Sequence, residues 1–325
     1  MTPMKRFGAV VLVVGLLALL ASCGADEGGG NGRDGEGPSS SSDELVVEPA
    51  SYELIAGEPG RFIAGLLTLD QLFVSYGTVE MRFFYLGTKE GTSTAEPGPR
   101  ATADFLKIEG DPGASTDRPS AGPPSHGRGV YATEVTFDKP GFWAVDVTAQ
   151  VEGKGELVGN GAFEVLEDNV VPAPGEEAPR TENLVLSSKD APRQAIESRA
   201  QGGQPVPDEI LHQTTIAESI RRGEPALVVF STPVYCISRF CGPVTDMVEK
   251  LARDYAGRAN FIHVEIWRNF EGKVINKGAA DWIYKGGDLL EPWLFLIGAD
   301  GKIVARWDNV ATRAEIEPFL DDLPK

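Results

Sequence analysis

Two cysteines, Cys236 and Cys241, stand where a short apolar run, Ala226 to Phe230, gives way to residues of helical period. Val244, Val248, Leu251 and Tyr255 fall on one helical face, with Met247 beside them. Asp246 and Glu249 lie in the first turns and Arg253 and Arg258 near the end, the polarity a helix dipole favours. The cysteines therefore sit where a buried strand hands over to a helix N-terminus. Unpaired backbone amides and the dipole both stabilise a thiolate there. Residues five apart in a regular helix lie about 7.5 Å apart along the axis and about 140° around it, whereas bridged cysteines keep their Cα atoms within about 7 Å. A Cys236–Cys241 bridge thus requires Cys236 in the loop and only Cys241 at the helix start. Gly242-Pro243 suits a helix beginning there.

The elements around this pair read as follows. Thr214 or Thr215 caps a short helix carrying Ile216 and Ile220, Gly223 ends it, and Pro225 precedes the buried strand. Phe261 to Trp267 is the next strand. A helical turn lies around Ala279 to Tyr284, and Thr312 to Leu320 is the last helix.

Phe240-Cys241-Gly242-Pro243 resembles the first four residues of the W-C-G-P-C motif of the thioredoxin superfamily. Glu291-Pro292-Trp293-Leu294-Phe295-Leu296-Ile297 resembles that family's cis-proline and following strand, and Asp300-Gly301 turns into Lys302 to Trp307. Val244 occupies the place of the second motif cysteine, and the second thiol lies upstream as Cys236. The resemblance covers roughly Pro207 to Leu323. It implies an α/β thioredoxin-like domain over residues 207–325, a cis Glu291–Pro292 bond, and Pro292 aligning a substrate strand. In the redox reading Cys241, in the first helical turn, attacks, and Cys236, among Val234, Tyr235 and Ile237, resolves. Thr232-Pro233-Val234-Tyr235-Cys236, with a thiol five residues on, resembles the C-x4-C peroxiredoxins, although Pro233 stands where that family has threonine and no matching arginine is identified. The third reading is a structural disulfide in a non-catalytic binding or scaffold protein.

Met1 to Phe7 carries Lys5 and Arg6, Gly8 to Leu20 is apolar but short for a bilayer span, and Leu20-Ala21-Ser22-Cys23 closes it. This resembles a bacterial lipoprotein signal and implies that residues 1–22 are removed and that Cys23 is lipidated; an uncleaved anchor helix is the rival. With Cys23 acylated, Cys236 and Cys241 are the remaining thiols and are expected to pair. Residues 23–44, rich in Gly, Ser and acids, form a flexible tether. The protein is expected at the cell membrane, lipid-anchored and exposed outside the cytoplasm, where a disulfide persists, with exported protein thiols or disulfides as partners. Net charge is −18, and −20 once Lys5 and Arg6 are removed, which argues against nucleic acid. No cofactor or metal is expected.

Residues 45–167 hold strand-like runs at Arg61–Leu69, Val79–Leu86, Tyr131–Phe137, Phe142–Val151 and Gly161–Val165, without helical signals. An antiparallel β-sandwich is expected, and the hairpin Phe137 to Trp143 resembles those of bacterial immunoglobulin-like envelope domains. This part serves as a spacer or as a binding module. Gly87 to Gly129 reads as an exposed insertion around one strand, Asp104 to Ile108, with His126 solvated. Residues 168–206, rich in Pro, Gly and charge, read as a linker with one edge strand at Asn183 to Ser187. His263 is expected to pack against the core and His212 to be isolated, neither acting as a ligand. Glu291 is expected to face solvent, and Arg239 to be an exposed loop residue.

Overall fold

A computed structural model describes residues 45–324 except 90–94, 114–115, 124, 126 and 286–287. The apolar leader, Cys23, the tether and His126 lie outside the described residues. Among the described residues no helix is long and apolar enough to cross a membrane. The described residues fall in one compact unit, Glu36–Lys325.

The N-terminal part contributes β1 (Leu45–Pro49), β2 (Pro59–Thr68), β3 (Phe73–Ser75), β4 (Thr78–Gly87), β5 (Glu96–Lys107), β6 (Ser120–Gly122), β7 (Gly129–Thr136), β8 (Gly141–Val151) and β9 (Gly155–Val165). They form one sheet in the order β1-β9-β8-β4-β5-β7-β2-β3-β6, and β1 also pairs with β2. The two pairings of β1, antiparallel to β2 and parallel to β9, close seven strands into a barrel. Closure needs β1 against β9 at Gly159, where a Cβ would run into the Leu45 carbonyl.

The expected immunoglobulin-like sandwich of two sheets is therefore corrected to a single closed sheet. Period-two patterning shows that one strand face is buried; it does not say whether that face meets a second sheet or curls onto itself. The barrel is filled by aromatic rings meeting edge to face: Phe62–Phe83 at 5.0 Å, Phe83–Phe137 at 5.2 Å and Phe137–Trp143 at 4.9 Å between centroids. The stretch expected as an exposed insertion supplies the 12-residue β5. Pro97 and Pro99 made it read as loop. They are tolerated because the β4–β5 register shifts between Arg82 and Phe84.

The C-terminal part contains α1 (Arg193–Ile196), α2 (Ile216–Arg222), β10 (Ala226–Ser231), α3 (Cys241–Asp254), β11 (Asn260–Glu265), β12 (Trp267–Asn269), β13 (Val274–Ile275), α4 (Lys277–Ile283), β14 (Tyr284–Lys285), β15 (Asp288–Leu289), β16 (Trp293–Ile297), β17 (Ile303–Asp308) and α5 (Arg313–Asp321). A four-stranded sheet runs β11-β10-β16-β17, with β10–β11 parallel and the other pairs antiparallel. The pairs β12–β13 and β14–β15 are separate ribbons.

These findings overturn the thioredoxin-like expectation. Helix makes up 19% of the structure, strands dominate, and the barrel is its main architectural feature. The motifs behind that expectation are local: they set a helix start at Cys241 and a turn before Trp293, and both are present, but they do not dictate the surrounding architecture. The Glu291–Pro292 bond is cis.

Residues 168–206, expected as a linker, pack against the second sheet. Val171, Ala173, Ala178 and Val185 are buried. Ile303 of β17 exchanges backbone bonds with Gly175 and Glu176 at 2.8 and 2.9 Å, and Trp282 Nε1 donates to Thr181 Oγ1 at 3.0 Å. Pro and Gly here make turns rather than a free tether.

The barrel is joined to the second sheet by Arg61 of β2. It pairs with Glu315 at 2.7 Å and donates to the Val310 carbonyl at 2.6 Å. Tyr52, between β1 and β2, reaches the loop before β16, its hydroxyl donating to the Glu291 carbonyl at 2.6 Å.

Candidate functional site

Every residue of β10 and of β16 is buried, so these central strands give the site a rigid floor. Beyond Ser231 the chain loops to Phe240, passing Arg239 in the left-handed region at φ 67° and exposed. Helix α3 then begins at Cys241. Its buried stripe is Val244, Met247, Val248 and Leu251, and Pro243 falls in the first turn, where a missing N–H costs nothing. Phe240, the N-cap, offers no side-chain oxygen to the helix. Instead, the Cys241 N–H donates to Cys236 Sγ at 3.3 Å. The sulfur of Cys236 stands where a capping oxygen would stand.

Cys236 and Cys241 form a disulfide with Cα atoms 6.0 Å apart, because Cys236 lies in the loop and Cys241 at the helix start. Their surroundings differ. Cys241 is fully buried at 0% exposure, whereas Cys236 is half-buried and followed by Ile237 at 91% exposure. Val234 is 39% exposed as well, so two of the apolar neighbours of Cys236 are turned outward, while Tyr235 is half-buried and stacks on Phe270. The Ser238 hydroxyl lies 3.3 Å from Cys236 Sγ and donates to the Glu291 carbonyl at 3.3 Å.

Glu291 does not face solvent. Its backbone is held by Ser238 and Tyr52, its side chain is only 7% exposed, and a carboxylate oxygen lies within 4.8 Å of both sulfurs. Burial pushes this carboxyl up to about 7; the Ile237 N–H opposes the shift and the charge of Glu265 adds to it. Pro292 follows, its carbonyl accepting from Asn309 N at 2.8 Å. A groove of about 610 Å³ opens here between barrel and sheet, lined by Ser51, Tyr52, Ile237, Ser238, Leu290 and Glu291 among others.

A second cluster lies behind the sheet's end. His263 Nδ1 is 3.0 Å from Glu197, His212 Nε2 is 3.2 Å from Asp208, and the two rings meet edge to face at 5.2 Å. Arg199 answers both carboxylates, at 3.0 Å to Glu197 and 2.7 Å to Asp208. Burial opposes charge on His263, but Glu197, with Asp208 and Glu265, outweighs it and raises the imidazole to about 9. Burial also opposes charge on Glu197, and His263 with Arg199 outweighs it, holding the carboxyl well below the usual range. His212 is pushed down by burial. Glu265, accepting from Ser198 N at 2.8 Å, is pushed up by burial to about 6.

His263 is thus buried as expected, but in an ion pair, and His212 is not isolated. Glu197, Arg199 and Asp208 were missed because they lie in or beside the stretch read as linker; the apolar Ala195, Ile196 and Ala200 around Glu197 were the available signal. Four donor atoms of this cluster lie close enough to surround a cation, but the guanidinium already balances the carboxylates.

No family model matches the chain, and no curated protein matches it.

Proposed function

We propose that the protein carries out thiol–disulfide exchange at the Cys236–Cys241 bridge, acting on thiols or disulfides of exported proteins. The observation that carries this is the helix amide on the half-exposed sulfur: the Cys241 N–H donates to Cys236 Sγ. The accessible sulfur and the one held by the helix terminus are the same atom. This reverses the roles expected from position alone. An incoming thiolate attacks Cys236 Sγ, the S–S bond breaks, and Cys241 leaves as a thiolate in the first turn of α3, where the dipole stabilises it. In the reverse direction the Cys236 thiolate attacks a substrate disulfide and Cys241 resolves the mixed disulfide. The groove beside Glu291 and Pro292 offers a place for the substrate chain.

The lipobox-like Leu20 to Cys23 supports anchoring through a lipid on Cys23, outside the cytoplasm. An acylated Cys23 as the first residue of the membrane-extracted protein is the expected intact-mass result; a retained Met1 would reject it. The complete burial of Cys241 favours a second reading, a structural bridge. Equilibration against a dithiol redox buffer separates the two. Exchange predicts a potential above about −300 mV, and a structural bridge one below it.

A further inference from the structure

We propose that reduction turns the Cys236–Cys241 bridge, together with Glu291, into a binding site for a zinc-class divalent cation. Three observations converge. The two sulfurs and a Glu291 oxygen already lie within 4.8 Å of one another. The spacing Cys-x4-Cys is within the range zinc ligands use. And Glu291, only 7% exposed, has a carboxylate oxygen beside the sulfurs, answered by the Ile237 N–H but by no cation among the described residues. In this it differs from Glu197 and Asp208, whose place for a cation is taken by Arg199.

A tetrahedral zinc with bonds of about 2.3 Å to sulfur holds its two sulfurs about 3.8 Å apart. Opening the bridge must therefore draw the sulfurs about 1.8 Å farther apart than in a disulfide, a shift that falls to the loop carrying Cys236 and the exposed Ile237. Glu291 supplies the third ligand, and a water completes the tetrahedron. The chemistry balances as follows. A phosphine and water reduce the disulfide to two thiols and become the phosphine oxide. The cation then displaces the two thiol protons and takes the Glu291 carboxylate. Two soft thiolates and one carboxylate suit zinc better than magnesium or calcium.

The proposal rests on the same opening of the disulfide that exchange requires. The test uses the full chain with Cys23→Ser, so that no third thiol competes, treated with a phosphine that carries no thiol of its own. Free thiols are counted, and Co²⁺ then Zn²⁺ are titrated into oxidised and reduced protein. The expected result is one cobalt per reduced chain with a thiolate-to-metal charge-transfer band, displaced by Zn²⁺, and none for the oxidised chain. Glu291→Gln should weaken Zn²⁺ binding by at least about tenfold while leaving the oxidised fold unchanged by circular dichroism. Two free thiols with no cobalt band would overturn this proposal and leave exchange standing. A band with unaltered affinity in Glu291→Gln, or in Glu291→Asp if the glutamine variant does not fold, would overturn the three-ligand site. A bridge that the phosphine cannot open would overturn both readings.

Discussion

The acids of the histidine cluster and the acid beside the disulfide are both buried, yet the protein treats their charge in opposite ways. Glu197 and Asp208 are met by Arg199 and the two imidazoles. Among the described residues Glu291 is met by a backbone amide and by the repulsion of Glu265, with no cation paired to it. Burial costs a carboxylate several kcal/mol unless opposite charge answers it. The first cluster is therefore ionised and closed, and the second is raised to about 7 and opens onto a groove. In the first cluster cations answer the carboxylates; an acid with no counter-charge among the described residues, beside two sulfurs, leaves a demand that a reaction or a ligand can satisfy.

The largest effect that would break this contrast is loss of one partner from the closed cluster. Glu197→Ala leaves His263 without its ion-pair partner and removes one of the carboxylates that answer Arg199. It is expected to lower unfolding stability by about 3–5 kcal/mol, read from urea denaturation at neutral pH. A loss under about 1 kcal/mol would show that the network is not held by charge.

The pH dependence comes next. His263 rises from 6.5 to about 9 on folding. Its contribution is fully present below the unfolded value and lost as pH rises through about 9, an effect on the order of 2–3 kcal/mol. Stability measured from pH 7 to 10 should fall, and the fall should be absent in His263→Phe. A wild-type profile that is flat over this range would contradict the ion pair.

Glu291 should behave in the opposite sense to a paired acid. Its folded value, about 7, lies above the unfolded 4.5, so the folded state takes up a proton between these values and stability declines as pH rises through that window. Glu291→Gln is therefore expected to stabilise the oxidised protein at pH 8 by about 1–3 kcal/mol, and to make no difference below about pH 4.5. Destabilisation at pH 8 would mean that the carboxylate has a counter-charge after all. The smallest effect sharpens the role of the barrel. Tyr52→Phe removes the 2.6 Å bond to the Glu291 carbonyl and should cost about 0.5–1.5 kcal/mol, seen as a lower urea midpoint with unchanged slope.

Much of the local structure was legible in the sequence. Ala226 to Phe230 reads as a buried strand, and β10 is Ala226–Ser231. Thr215 accepts from Glu218 N as the cap of α2, Gly223 ends that helix at φ 66°, and Cys241 opens α3. Closure of the barrel was not legible, because it depends on β1, already paired with its sequence neighbour β2, also finding β9 more than a hundred residues on. The backbone of Glu291 is bonded by Tyr52, 239 residues away, and no local pattern encodes the burial of its side chain. The proposed exchange of the cysteine roles has the same origin. Position alone places Cys241 in the first turn, but the folded loop brings the sulfur of Cys236 onto the helix amide and leaves Cys241 beneath it.

The central claim, that Cys236 is the sulfur that exchanges, is tested by a pair of single variants, each in the full chain carrying Cys23→Ser, exposed to glutathione disulfide and analysed by mass spectrometry without reductant. Cys241→Ser should accumulate a mixed disulfide on Cys236, since nothing remains to resolve it. Cys236→Ser should trap little, because the remaining thiol is fully buried. Dominant trapping in Cys236→Ser, or none in either variant, would contradict the account.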